Sequence, residues 1–312
     1  MPLTCVVLSA LVLGLAGRWW WVLDLFSHFR LQYAVALGAL AMVLSVLRWH
    51  KLAFLAFAGS FAATVSIVSY TAAAAQPAQA TAGRFRFATF NVFYLNEDLA
   101  RIGAGLESMG VDVVALQELD ATRARALAKY LPSYPHAYFD AAHHYGAVVF
   151  SRWPILRSQT IELVPEGPRA AQVVLDWHGR AITVIGTHLH WPFGAHNTRL
   201  RDGALRRLVR LAATLPGPLL IGGDFNITSW SPRFQDALAA SSLVDCARGH
   251  GLVATWPTFF SPLSIRIDHC LASKDWQVIG VRTGPSLGSD HYPAIAELTL
   301  RRQAALATPP PA

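Results

Sequence analysis

Three long stretches near the start of the chain carry no charged residue: Met1 to Gly17, Leu31 to Leu47 and Leu52 to Gly83. A helix that crosses a bilayer needs roughly 20 mostly apolar residues. The pattern therefore predicts three membrane spans, near 3–23, 29–47 and 52–71. A secretory signal has a single short apolar region and leaves the second and third stretches unexplained. Ala78-Gln79-Ala80 has the small-residue look of a cleavage site, but it lies far from the N-terminus. Trp19, Trp20 and Trp21 beside Arg18 fit an interfacial aromatic anchor that ends the first span.

From Phe85 onward the pattern changes. Short β-rich runs (FRFATFNV, VDVVALQE, YGAVVFS, AAQVVLDW, AITVIGTHL, PLLIGGDF, IRIDHCLA and PAIAELTL) are mostly bounded by Gly, Pro or polar residues. Between them 97–109, 121–130, 198–214 and 232–240 have helical character. The long β-only stretch between 134 and 187 argues for mixed rather than purely parallel sheets, so the expected class is α/β, two packed sheets flanked by helices. Thr71 to Gly83, rich in Ala, Gln, Thr and Pro, reads as a linker. The expected organisation is a transmembrane region at 1–71, a linker at 72–83, one large domain at 84–302 and a disordered tail at 303–312.

Composition agrees: 53% of the 312 residues are hydrophobic, more than a soluble domain requires, and the excess sits in the first quarter. The loop between the second and third spans holds Arg48, His50 and Lys51, while the preceding loop offsets Arg18 and Arg30 with Asp24. Positive charge is retained on the cytoplasmic side, which places the 48–51 loop inside and the large domain outside, against the weaker pull of Arg84 and Arg86. The expected location is thus a multi-pass membrane protein, in a bacterium the inner membrane with the domain facing the periplasm. A formal charge of +7 suits a polyanionic partner, either nucleic acid or an anionic membrane surface. The arginines are spread without one dense run, however, as they would be on solvated helix faces. No CxxC or Cys/His metal spacing is present, and Cys246 and Cys270 read as two buried free thiols, with a disulfide as the alternative.

The chemistry lies where polar residues interrupt apolar runs. Asn91, Glu118, His188, Asp224 with Asn226, Asp268, and Asp290 with His291 each fall at or near the end of a strand-like run. Sheets gather such ends at one edge, so residues two hundred positions apart can converge. Carboxylates and carboxamides there suit a hard cation such as Mg2+ or Mn2+. Zinc would call for a closely spaced His/Cys set, and His188-Leu189-His190 alone is poor evidence for it.

TFNV at 89–92, LQELD at 116–120, GTHL at 186–189, GGDFN at 222–226, IDHC at 267–270 and SDHYP at 289–293 resemble, in order, the motifs of the endonuclease/exonuclease/phosphatase superfamily. The resemblance, to a membrane-anchored bacterial-type member, implies a four-layer α/β sandwich and a Mg2+- or Mn2+-dependent hydrolase of phosphate esters. By that resemblance Glu118 ligates the metal, Asn91 supports the metal and the scissile phosphate, and Asp290 contributes to metal binding. Asp224 orients or deprotonates the attacking water, Asn226 donates to a phosphate oxygen, and His188 contacts the phosphate or assists the leaving group. Asp268 and His291 form a pair acting on the phosphate or as acid/base; whether Asp224 or His291 is the base stays open. His190 belongs to no motif, and His143 and His144 read as surface-loop residues. The His190–Gly194 loop, Trp230, Trp256 and Phe259-Phe260 form either a rim for lipid or bases, or packing under loops. The substrate stays open between a phospholipid headgroup at the bilayer and DNA or RNA. A non-catalytic binding protein on a degenerate fold is the rival of another class.

Overall fold

The computed structural model describes residues 2–72, 83–140 and 147–301. Residues 73–82 of the expected linker, the expected tail, and His143 and His144 lie outside the described residues. The chain begins with α1 (Pro2–Leu15), α2 (Trp21–Leu25), α3 (Arg30–Val46) and α4 (His50–Thr71). Next come β1 (Arg84–Asn91), α5 (Leu99–Met109), β2 (Val113–Gln117), α6 (Ala121–Ala128), β3 (His136–Tyr138) and β4 (Val148–Ser151). Then follow β5 (Ile155–Glu162), β6 (Arg169–Trp177), β7 (Arg180–His188), α7 (Ala195–Ala212) and β8 (Leu219–Asp224). The fold closes with α8 (Pro232–Ala239), β9 (Val244–Asp245), β10 (Asp268–Ala272), β11 (Trp276–Thr283) and β12 (Ala294–Leu300).

Two six-stranded mixed sheets, β11-β12-β1-β2-β4-β3 and β5-β6-β7-β8-β10-β9, pack face to face. Between them lie Phe85, Phe87, Val113 and Val149 of the first and Val173, Val184, Leu220 and Cys270 of the second. On the outer face of the first sheet α5 and α6 bury Ile102, Leu106 and Leu127 against Phe90, Val114 and Leu116. On the second, α7 and α8 bury Leu205, Leu208 and Phe234 against Ile185, Ile221 and Phe225. The helix–sheet–sheet–helix order is the expected α/β sandwich. Two glycines make its centre possible. A Cβ on Gly222 would stand 2.3 Å from the Phe87 ring, and one on Gly223 would stand 1.8 Å from the Thr187 carbonyl oxygen. Cys246 and Cys270 are free, buried thiols with sulfurs 2.9 Å apart.

The expectation of three spanning helices needs correction. Among the described residues only α4, 22 residues long with an 18-residue stretch of mean hydropathy 1.9, is long and apolar enough to cross a membrane; α1 and α3 are apolar but shorter. The first expected span breaks after Leu15, where the chain turns through Ala16–Trp19 and α2 folds back on α1. Gly14 and Gly17 allow that reversal: a Cβ on either would lie 2.9 Å from backbone atoms of Phe26 or Asp24. Averaged hydropathy carries the first span through Trp19 to Leu23 because Gly17 and Arg18, where the chain turns, are outweighed by the apolar residues on both sides. α3 and α4 form an antiparallel hairpin through Leu37, Leu44, Ala53 and Ala56, reversed at Arg48 with φ of 58°. Large apolar side chains on their outer faces, among them Val35, Met42, Phe54, Phe57 and Phe61, remain exposed.

Candidate active site

The topology explains how distant residues meet. β1 and β2 run parallel, with Asn91 opposite Gln117, and β7 and β8 run parallel, with His188 opposite Asp224. Parallel neighbours end together, so each sheet delivers two chain ends to the same edge. β10, antiparallel to β8, starts there, with Asp268 opposite Asp224. Asp290 and His291 arrive on the segment before β12.

The Asn91 amide bridges the sheets, donating to Glu118 Oε1 at 2.9 Å and to Asp224 Oδ2 at 3.2 Å. Glu118 follows β2 with φ of 60°, and Asn226 follows β8 with φ of 51°. Left-handed backbone at non-glycine residues costs about 1–3 kcal/mol and persists where surrounding contacts hold it. Here the holding contacts are visible. The Tyr94 amide donates to Glu118 Oε2 at 2.9 Å; the Asn226 amide donates to Asp224 Oδ1 at 2.8 Å, and Asn226 Nδ2 donates to the Leu189 carbonyl at 2.9 Å. His188 Nε2 lies 3.3 Å from Asn226 Nδ2 and 3.5 Å from Asp224 Oδ2. His291 Nδ1 donates to Asp268 Oδ2 at 2.8 Å, which turns Nε2 toward Asp224 Oδ2, 3.7 Å away, and Asp290 Oδ1, 4.0 Å away. All eight residues singled out in the sequence are thus gathered at one edge. His190 makes no hydrogen bond within this group.

Burial sets the proton affinities. It works against a charged His291, but the Asp268 carboxylate, joined by Asp224 and Asp290, outweighs it and holds the imidazole up at about 10. Burial also lifts the Asp224 carboxyl to about 6, against the pull of the His291 charge and with the push of the Asp268 charge. Three supporting groups have no role at the motif residues in the sequence pattern, which places Trp256 only in an aromatic rim or in packing under loops. Ser289 Oγ donates to the Asn91 carbonyl at 2.7 Å and accepts from the His291 amide at 3.0 Å, tying the last motif to the first. Trp256 Nε1 donates to Asp290 Oδ2 at 3.0 Å, and Tyr94 acts through its backbone amide. Ser289 stands beside Asp290 inside a quoted motif, which was its one available signal; Trp256, in an irregular loop, stands out only as an aromatic there, with nothing to tie it to Asp290.

Among the described residues, no three His, Cys, Asp or Glu side chains form a ready-made metal cage. That donor set disfavours a closed zinc site. It fits a Mg2+-type ion, which takes one or two carboxylates and fills the rest of its octahedron with water and substrate oxygens. Glu118 suits the part: each of its oxygens accepts one hydrogen bond and keeps a lone pair, and the side chain is partly exposed. Asn91 faces Glu118 through its amide nitrogen while its Oδ1 accepts from the Phe93 amide at 3.0 Å, and Asp290, also partly exposed, lies 4.0 Å from His291 Nε2. A cavity of about 790 Å³ beside Tyr70, Trp230 and Asp245 contains none of the eight residues.

The two mixed sheets thus gather carboxylates, carboxamides and two histidines at one edge. The Endonuclease/Exonuclease/phosphatase family matches residues 88–291, and the chain belongs to that family. Its members are hydrolases acting on phosphate esters. The chain is 28% identical over 158 residues to an inositol phosphosphingolipids phospholipase C of Schizosaccharomyces pombe, covering 43% of this chain and 37% of that protein. The chain therefore spans little more than a third of that relative's length. An endonuclease/exonuclease/phosphatase from Bacteroides vulgatus superposes with a TM-score of 0.60 at 20% identity, covering 70% of this chain and all of the other. D. rerio TDP2 complexed with a single-strand DNA product superposes with a TM-score of 0.57 at 18% identity, covering 70% and 99%. At identities of 20% and 18% these two structures show a shared fold alone.

Proposed function

We propose that this protein is a membrane-associated, Mg2+- or Mn2+-dependent phosphodiesterase whose substrate is the phosphodiester of a lipid headgroup. The observation that carries the phosphoesterase reading is the convergence of Asn91, Glu118, His188, Asp224, Asn226, Asp268, Asp290 and His291 on one edge. Glu118, with Asn91 and Asp290, would hold the cation. The chemistry such an ion would supply there is neutralisation of phosphate charge and a lowered proton affinity of water. Asp224, whose carboxyl sits near 6, accepts the proton of the attacking water. His291, charged at neutral pH, donates through Nε2 to a phosphoryl oxygen and is kept in that state by Asp268. Asn226 Nδ2, held by the Leu189 carbonyl, would turn its second N–H from His188 Nε2 to a phosphoryl oxygen as charge builds there.

Two features favour lipid. The outer faces of α1, α3 and α4 expose large apolar side chains, which water disfavours and hydrocarbon accepts. In this reading α4, ~33 Å long at 1.5 Å per residue, crosses the bilayer with α1 and α3 packed beside it. The second feature is where the helices meet the domain. Gln32, near the start of α3, donates to the carbonyls of Pro262 and Ser264 at 3.2 Å, in the loop that exposes Phe259 (79%) and Phe260 (49%). Trp191 (58%) and Phe193 (71%) project from the loop after His188. Aromatic side chains therefore rim the catalytic edge at the helices' domain end, where a bilayer interface would lie. The 48–51 loop is at the far end, and retention of positive charge inside puts the catalytic domain outside.

The nuclease reading is favoured by the net charge of +7 and by the DNA product bound to D. rerio TDP2. One comparison separates the two. The full-length protein, in vesicles, is offered phospholipid phosphodiesters and, separately, plasmid DNA, at one metal and one salt concentration. Faster release of headgroups is the expected result; efficient nicking of DNA with no headgroup release would refute the lipid reading and leave a membrane-bound nuclease.

A further inference from the structure

The turn that presents Asp224 and Asn226 is braced from outside the family match, which begins at residue 88. Asp24, on the five-residue α2, is 1% exposed inside an otherwise apolar segment. Its Oδ2 accepts from Arg201 Nη2 at 2.9 Å, and its Oδ1 accepts from Ser231 Oγ. Arg201, on α7, is fully buried and spends its donors in three directions. Nε and Nη2 donate to Asp202 Oδ1 at 3.0 and 2.9 Å, Nη2 also meets Asp24, and Nη1 donates to the Asn226 carbonyl at 3.2 Å. Arg233 closes the series by pairing with Asp202 and donating from Nε to the Gly17 carbonyl at 2.9 Å. Two residues beyond Asn226, Thr228 Oγ1 meets His28 Nδ1 at 3.0 Å. Asp24, Arg201, Asp202 and Arg233 alternate in sign and sum to zero. A buried guanidinium keeps its place only while its charge and its planar donor fork are matched.

We propose that the N-terminal helical segment is part of the catalytic scaffold. Asp24 is a positioning residue that, through Arg201, fixes the Asn226 carbonyl and holds the Asp224–Asn226 turn in its left-handed conformation. Asn226 sits at φ of 51°, a conformation that relaxes unless both of its ends are tied. Its amide is tied to Asp224 and its carbonyl to Arg201. Ser231 and Thr228 anchor the remainder of the turn to the same segment. Placement of the helical segment is thereby mechanically linked to placement of the groups at the reacting phosphate. This inference rests on the phosphodiesterase reading for its catalytic half only.

The test compares full-length wild type, Asp24→Ala, Asp24→Asn and Arg18→Ala in detergent micelles, with Mg2+ and bis-p-nitrophenyl phosphate. Asp24→Ala leaves Arg201 without its second carboxylate, and kcat falls about tenfold while KM stays within about twofold, the signature of misplaced catalytic groups rather than lost binding. Asp24→Asn, isosteric and still offering one acceptor, recovers part of the loss and stays measurable if the alanine variant unfolds. Arg18→Ala removes an exposed pair with Asp236 on the same interface and leaves kcat unchanged. Amide hydrogen exchange supplies a readout independent of turnover: residues 225–231 exchange faster in the Asp24 variants, while β2 and β10 keep wild-type protection. Wild-type kcat in both Asp24 variants, or faster exchange spread evenly over all strands, overturns the proposal. A wild type that hydrolyses no phosphate ester with any divalent ion would sink the phosphodiesterase reading, and the exchange experiment still decides the bracing of the turn.

Discussion

Replacing Asp268 by Asn keeps the shape of the side chain and removes the charge that faces His291 Nδ1 at 2.8 Å. In wild type the imidazole rises from 6.5 to about 10, the net of burial acting against the charge and of Asp268, Asp224 and Asp290 acting for it. At 1.36 kcal/mol per tenfold change in proton affinity, that rise is worth ~5 kcal/mol of preference for the charged ring in the folded state. The sign follows from the direction. A folded-state affinity above the unfolded one contributes its full stability below pH 6.5 and loses it as pH climbs toward 10. Asp224, raised from 3.8 to about 6, is ionised across nearly all of that window and adds little slope there. Unfolding free energy of the full-length chain, measured in micelles with EDTA from pH 6.5 to 9.5, should therefore fall in wild type. The Asp268→Asn curve should start ~3–5 kcal/mol lower, as expected when a buried pair is broken, and converge on wild type near pH 10. Parallel curves, with the same deficit at every pH, would refute the account: the charge on His291 would then not depend on Asp268.

Three further outcomes can be checked. Glu118→Gln keeps the Asn91 and Tyr94 hydrogen bonds partly in place but loses the ligand charge; Mg2+-dependent turnover should fall at least ~100-fold and the calorimetric signal of Mg2+ binding should vanish, with the melting temperature held. The pair Phe259→Ser and Phe260→Ser should lower hydrolysis of vesicle lipid about tenfold and leave a soluble diester untouched, since only the first requires the exposed rim to enter an interface. A reporter active only outside the cytoplasm, fused after Gly83, should be active; a silent one, with a cytoplasmic reporter working at the same junction, reverses the orientation.

Much of the fold was legible because strand interiors here are sandwiched on both faces. β2 and β8 are buried at every position and so read as unbroken apolar runs that stop at a polar residue. The stops are the site: Glu118 directly follows β2, and Asp224 ends β8. Sequence reasoning could say that such ends gather. It could not say that Asn91 lies between Glu118 and Asp224, because that depends on how the two sheets are stacked, not on either strand. The same limit explains Trp256 and Ser289. Each acts through one hydrogen bond to a motif residue, and neither a lone Trp in an irregular loop nor a Ser before Asp290 carries a periodicity that announces it.

The N-terminal segment was the least legible part, and the reason is physical. Hydropathy averages over a window, so one aspartate among Trp21, Val22, Leu23, Leu25 and Phe26 counts as a loop residue between two spans. Its environment depends instead on a single arginine 177 positions away. Arg201 in turn looks like one of several arginines on an amphipathic helix, where a solvated face is the ordinary expectation. Neither residue is informative alone. Burial without a partner would cost several kcal/mol for either charge, so the fold keeps both inside only together, between the helices and the turn that carries Asp224 and Asn226. Average apolarity tells how deeply a segment avoids water, whereas the exceptional buried charge tells what the segment is fastened to; here that is the turn that carries Asp224 and Asn226.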